Sequence, residues 1–177
     1  MMRQTQTHTQ RFRLVLVLVL GLLGLPLAHA NASWRLPMDW GNALIAATDS
    51  HFTAPDGRRV IAAPTVLVYA DDGRLLSAHG KPIDTLFAEA LPLSDLLGER
   101  GIEVQEYSRP KLLAQIAALT GNRPELDEGR PTVVLLYPPM AKAFCPPCAT
   151  AAARMAERLQ ALQVEAEVLE VELEYGS

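Results

Sequence analysis

Cysteine is nearly absent: the chain of 177 residues has two, Cys145 and Cys148, in the stretch AFCPPCAT. That excludes a small secreted scaffold stapled by several disulfides. Ala149 stands where a covalently attached haem would need a histidine directly after the second cysteine. There is no second C-x-x-C, and neither His51 nor His79 lies at a ligand-like spacing from the cysteines, so only half of a zinc signature is present. The same two histidines lack the pattern of a Cys–His hydrolase. The only long apolar run, Leu14 to Ala28, is 15 residues long, short of the roughly 20 that span a bilayer. Arg11 and Arg13 are split by Phe12, so there is no twin-arginine pair.

What stands at the N-terminus is the pattern of a secretory signal. Arg3, Arg11 and Arg13 precede the apolar run, Gly21, Gly24 and Pro26 break its end, and Ala28 and Ala30 flank His29. This predicts cleavage after Ala30, or an N-terminal anchor if the signal is retained, and export to the periplasm in either case. Three of the 16 basic residues and none of the 20 acidic ones fall within residues 1–30. The remaining 147 residues therefore carry 13 basic against 20 acidic side chains, a formal charge of −7. That length is one domain with a real core. The acidity speaks against nucleic acid or an anionic membrane surface as partner, and no stable membrane span is expected once the signal is removed.

Residues 31–57 carry few signals beyond Trp34, Trp40 and a small-residue run, NALIAATDSHF, that suits a short helix. Beyond them, Thr65 to Ala70 and Arg74 to His79 flank a DDG turn and read as a β-hairpin. Ile83 to Leu97 has near-helical apolar spacing with a break at Pro92. Ile102 and Val104 alternate with Glu103 and Gln105 as a strand; then Ser108, Pro110 and Gly121 bracket a helix. Thr132 to Tyr137 is apolar throughout, as in a central strand covered on both faces. Strand, helix and strand in this order suggest a parallel crossover. Ala151, Met155, Leu159 and Leu162 predict an amphipathic helix that starts at Cys148 or just before it. VEAEVLEVELEY predicts a last strand with a solvated glutamate face and a bulge near Leu169, where the alternation slips. APTVLVYADDG and RPTVVLLYPPM echo each other, either as a duplicated half-domain or as two similar central strands.

A disulfide across two intervening residues closes too small a loop to stabilise much, so a structural clip is poorly motivated. Reversible thiol–disulfide chemistry is what the spacing favours. With Cys145 at the first turn of the following helix, unpaired N–H groups and the helix dipole favour its thiolate. Cys148, one turn on and deeper, resolves the mixed disulfide. Pro146 and Pro147 stiffen the turn. Lys142 adds positive potential near Cys145.

An apolar strand followed by Phe144 and C-P-P-C resembles the thioredoxin-like superfamily, in particular its exported bacterial branch, over Ile102 to about Val171. Phe144 stands where these proteins usually have Trp. The resemblance implies an α/β three-layer sandwich with a central mixed sheet over residues 31–177. It implies catalytic Cys145 and Cys148, disulfide exchange with protein thiols or disulfides, a separate redox partner, and no cofactor or metal. The link from Tyr137 to Cys145 is longer than the family's, and Leu135 and Leu136 stand where thioredoxins carry a strand acid beneath the cysteines. No proline follows Pro147, whereas the family has a cis-proline, a hairpin and a helix after the active-site helix. Ala63-Pro64-Thr65, the hairpin and the Ile83 to Leu97 helix would supply these parts in a circularly permuted order. Pro64 would then face Cys145 and, with Phe144, Pro146 and Pro147, shape a substrate groove. The alternative is a non-catalytic periplasmic adaptor, for example in a secretion or conjugation apparatus, which docks through the long loop and the acidic last strand.

Overall fold

Thr132–Tyr137, the most apolar run past the N-terminal segment, becomes the middle strand of a five-stranded mixed sheet. The computed structural model describes residues 34–81, 83 and 105–175. In chain order the elements are β1 (Trp34–Pro37), α1 (Met38–Ala47), β2 (Phe52–Thr53), β3 (Arg59–Val60), β4 (Thr65–Tyr69) and β5 (Leu75–His79). A 3-10 turn at Gln105–Tyr107 leads to α2 (Arg109–Thr120) and β6 (Thr132–Tyr137). Next come α3 (Ala141–Phe144), a second 3-10 turn (Pro146–Thr150), α4 (Ala151–Ala161) and β7 (Glu167–Glu174). The sheet runs β1-β7-β6-β4-β5, and β2 and β3 form a separate two-stranded ribbon. β1, β7 and β6 are parallel; β4 is antiparallel to β6 and β5 antiparallel to β4. The parallel crossover joins β6 to β7 through α3 and α4.

Because successive strand residues point to opposite faces, each strand feeds two cores. Leu67 and Tyr69 of β4, Val134 and Leu136 of β6, and Leu169, Val171 and Leu173 of β7 pack with Leu44 and Ile45 of α1 and Leu112 and Ile116 of α2. Val66, Val68, Val133, Leu135 and Tyr137 pack on the other face with Cys148, Ala151, Met155 and Leu159. Helices therefore cover both faces. α1 comes so close to β7 that a Cβ on Gly41 would collide with Leu173. The hairpin turn depends on Gly73 at φ 84°, and its carbonyl accepts from Arg109 N–H, the first residue of α2, at 2.8 Å. Gly121, at φ 75°, ends α2. Ser108 holds the N-cap position without a side-chain cap hydrogen bond.

Several sequence expectations change. The weakly marked 31–57 stretch supplies the edge strand β1 and the helix α1. Four residues ending in proline are too short to show a period, and a proline's missing N–H is tolerated at an edge. The strand read at Ile102 to Gln105 falls mostly outside the described residues, and Gln105 begins a 3-10 turn. The helix read at Ile83 to Leu97 lies, apart from Ile83, outside them too. β7 has no bulge at Leu169: its register with β6 is continuous from Glu167 to Glu172. The apparent slip is a change of buried face. Val164, Ala166 and Val168 pack beside α4, whereas Leu169, Val171 and Leu173 point to the core beneath α1 and α2. The two echoing segments are β4 and β6, antiparallel neighbours at the sheet centre. Leu162 lies beyond the end of α4 and is exposed. No helix among the described residues is long and apolar enough to cross a membrane.

Candidate dithiol site

β6 ends at Tyr137, and Pro138 and Pro139 stop the ladder by removing two donors. Met140 turns the chain through φ 59° into α3, so the long link holds a helical turn of its own. Cys145 N–H closes that turn on Ala141 O at 2.9 Å. The α-helix expected from Cys148 or just before it begins at Ala151, the first of its apolar positions, and a 3-10 turn precedes it. Pro146 and Pro147 offer no N–H, and the first donor, Cys148 N, reaches back only three residues to Cys145 O at 2.8 Å. A 3-10 turn results, and the α-helix starts at Ala151. Cys145 therefore precedes a short 3-10 segment, and the dipole of a long helix is not applied at its sulfur.

Cys145 and Cys148 form a disulfide, with Cα atoms 5.3 Å apart. The two are unequally placed: Cys148 is fully buried, Cys145 half-buried. Cys148 Sγ lies 3.3 Å from the carbonyl oxygen of Ala63. Ala63 packs beside Cys145 and Cys148 in the same apolar cluster, and the Ala63–Pro64 peptide bond is cis. Of the four residues assigned to a groove, Phe144 is 78 % exposed and Pro146 and Pro147 are exposed, while Pro64 is buried. The chain's contribution beside the pair is thus the Ala63 carbonyl; the Pro64 ring offers little surface.

Sequence reading missed the polar cluster beneath the turn. Tyr137 O–H donates to Glu170 Oε1 at 3.1 Å and lies 3.4 Å from Cys148 O. Burial, followed by the charge of Glu170 and this hydrogen bond, pushes the Tyr137 phenol far above its ordinary range. Lys142 Nζ pairs with Glu170 Oε2 at 2.9 Å and sits 4.7 Å from the centre of the Tyr137 ring. Lys142 is therefore turned inward, and its charge is engaged by Glu170 rather than presented to Cys145. Glu170 alone of the β7 glutamates is drawn well inward; the others bond at the exposed surface, where Glu172 accepts from Met140 N–H at 2.8 Å, Glu167 from Asp127 N–H at 3.1 Å, and Glu174 pairs with Arg35 at 3.1 Å. Counting the alternation of β7 from Val164 puts Glu170 on one face with Ala166 and Val168, and the packing of that face makes it the cysteine side.

Among the described residues no three His, Cys, Asp or Glu side chains gather as a metal site. His51 Nδ1 lies 3.0 Å from Arg59 Nη2, and His79 is buried on β5. The chain matches no family model, no curated protein and no solved structure.

Proposed function

We propose that the chain is an exported thiol–disulfide oxidoreductase that exchanges disulfides with protein partners through Cys145 and Cys148. The observation that carries this reading is their asymmetry: Cys145 is only partly buried and follows exposed Phe144, whereas Cys148 is fully buried with its sulfur against the Ala63 carbonyl. A thioredoxin-like architecture in permuted chain order is part of the proposal. It is supported by the sheet order β1-β7-β6-β4-β5, by a dithiol directly after the middle strand, and by Ala63-Pro64 leading into the neighbouring antiparallel strand.

In the reducing direction the Cys145 thiolate attacks a partner disulfide, one sulfur of the partner leaves as thiolate, and a mixed disulfide forms. Cys148 then loses its proton and attacks the Cys145 sulfur, and the second partner thiol leaves. Two electrons pass to the partner and the Cys145–Cys148 disulfide is regenerated; the reverse sequence oxidises a dithiol. The adaptor alternative drew on an acidic last strand free to dock, but β7 lies between β1 and β6 with its glutamates bonded within the fold.

The deciding experiment is trapping in the periplasm. Cys148→Ser should accumulate mixed disulfides that dissolve on reduction, and Cys145→Ser should trap far less. Equal, negligible trapping by both, with full biological activity retained, would replace the oxidoreductase with the adaptor.

A further inference from the structure

We infer that Glu170 is a positioning residue for the dithiol: its single carboxylate braces both chain segments that carry the cysteines, and so governs how readily the Cys145–Cys148 ring closes. The biological use of that ring rests on the function proposed above, but ring closure itself is measurable without a protein partner.

Glu170 stands on β7, an interior strand paired on both sides. It is paired with Leu135 of β6, and its neighbour Val171 is paired with both Leu136 and Trp34. Oε2 holds Lys142, three residues before Cys145, and Oε1 holds Tyr137, whose single hydroxyl proton is shared in a three-centre bond between Glu170 at 3.1 Å and the Cys148 carbonyl at 3.4 Å. The Lys142 ammonium over the Tyr137 ring closes the triangle, and Glu172 adds a tether at Met140 N–H. The side chains of Lys142 and Glu170 are 28 % and 15 % exposed, so solvent screens this pair far less than an ordinary surface ion pair. Held from one rigid strand, the two cysteine segments keep the separation at which their sulfurs bond. Loosening either anchor lowers the effective concentration of one thiol at the other, and with it the equilibrium constant for closure.

A charge effect alone would act differently. Removing the Lys142 cation would destabilise a nearby thiolate and make the disulfide harder to reduce, whereas removing the Glu170 anion would make it easier. A brace requires both losses to make it easier.

The test is the equilibrium of the purified protein with a glutathione redox series, together with thermal unfolding to confirm that each variant folds. Glu170→Ala should lower the closure constant about tenfold, which is about 30 mV for this two-electron couple. Lys142→Met, which keeps the apolar stem over Tyr137, should lower it about threefold in the same direction. Glu170→Gln, which keeps an acceptor for Tyr137, should fall between wild type and Glu170→Ala. If Glu170→Ala does not fold, the other two variants carry the test. An unchanged constant in folded Lys142→Met, or a shift toward harder reduction, overturns the brace. Shifts as stated, with no trapping by Cys148→Ser, keep the brace and discard the oxidoreductase.

Discussion

The Cys148 sulfur and the Ala63 carbonyl oxygen, 85 residues apart in sequence, lie 3.3 Å from each other at the base of the C-P-P-C turn. When the disulfide is reduced, that carbonyl accepts from the Cys148 S–H, and burial further disfavours its thiolate. Alkylation of the reduced protein, followed by mass spectrometry over a pH series, should therefore label Cys145 first at every pH, with Cys148 lagging by about tenfold or more. Equal rates would mean that reduction opens the turn and frees Cys148 from Ala63.

Phe144 precedes the half-buried cysteine and is 78 % exposed. An apolar side chain beside a partner's cysteine would cover it. Covering part of a phenylalanine contributes on the order of 1 kcal/mol, so Phe144→Ala should slow mixed-disulfide formation with an apolar-flanked cysteine peptide by about fivefold. The reaction with glutathione, which has little to cover the ring, should be unchanged. Equal slowing of both would assign Phe144 to the turn's geometry instead of to recognition.

Tyr69 and Tyr137 are both fully buried, yet only one has a partner: the Tyr69 hydroxyl has no hydrogen bond among the described residues. Tyr137→Phe should destabilise the fold by about 1–2 kcal/mol, whereas Tyr69→Phe should be neutral or stabilising. Burial raises both phenols above their ordinary range. A group raised in the folded state stabilises fully below its unfolded pKa, and that contribution is lost as pH climbs past it. Stability should thus hold up to about pH 10 and fall above it. Phenolate absorbance of these two residues should appear together with loss of circular dichroism; appearance before unfolding would contradict their placement.

Arg109 is buried at the far end of β6 from the dithiol. Its guanidinium donates to the carbonyls of Arg130 at 2.6 Å, Asp71 at 2.8 Å and Glu128 at 2.9 Å, and to Thr132 Oγ1 at 3.0 Å. It ties the hairpin turn, the loop before β6 and the first residue of β6 to α2. Arg109→Met leaves four acceptors unsatisfied and should cost roughly 3 kcal/mol, or about 10 °C in thermal midpoint. Cys145 alkylation in the folded variant should stay at the wild-type rate. An unchanged midpoint would show that the four acceptors are satisfied in another way.

Elements with local signals were legible. The hairpin around Gly73, the helix closed by Gly121 and the six-residue strand Thr132–Tyr137 fall where turn residues and apolar runs put them. Each depends on backbone conformations and burial that neighbouring residues dictate. β1 was not legible, because four residues that end in proline acquire strand geometry only from parallel pairing with β7, more than 130 residues away. The α-helix expected from Cys148 starts instead at Ala151 for a local reason: two prolines without donors force a tighter 3-10 turn across the cysteines.

The amino-acid order by itself determined the pairing partners available to each sulfur, since the chain has two cysteines, and it determined the stiff turn that brings them together. It also supplied the apolar strand that leads into them. Which sulfur is buried, and what lies against it, was decided only by the tertiary structure. Ala63 comes from the bend just before β4, 85 residues before Cys148, and Glu170 and Lys142 meet across a crossover. Contacts of that kind follow from sheet order and from which face each residue turns inward, and a one-residue change in strand phase sends a side chain to the other face. Glu170 reads as one more solvated acid until β7 is set beside β6, where its phase turns it toward the cysteines and into the reach of Tyr137.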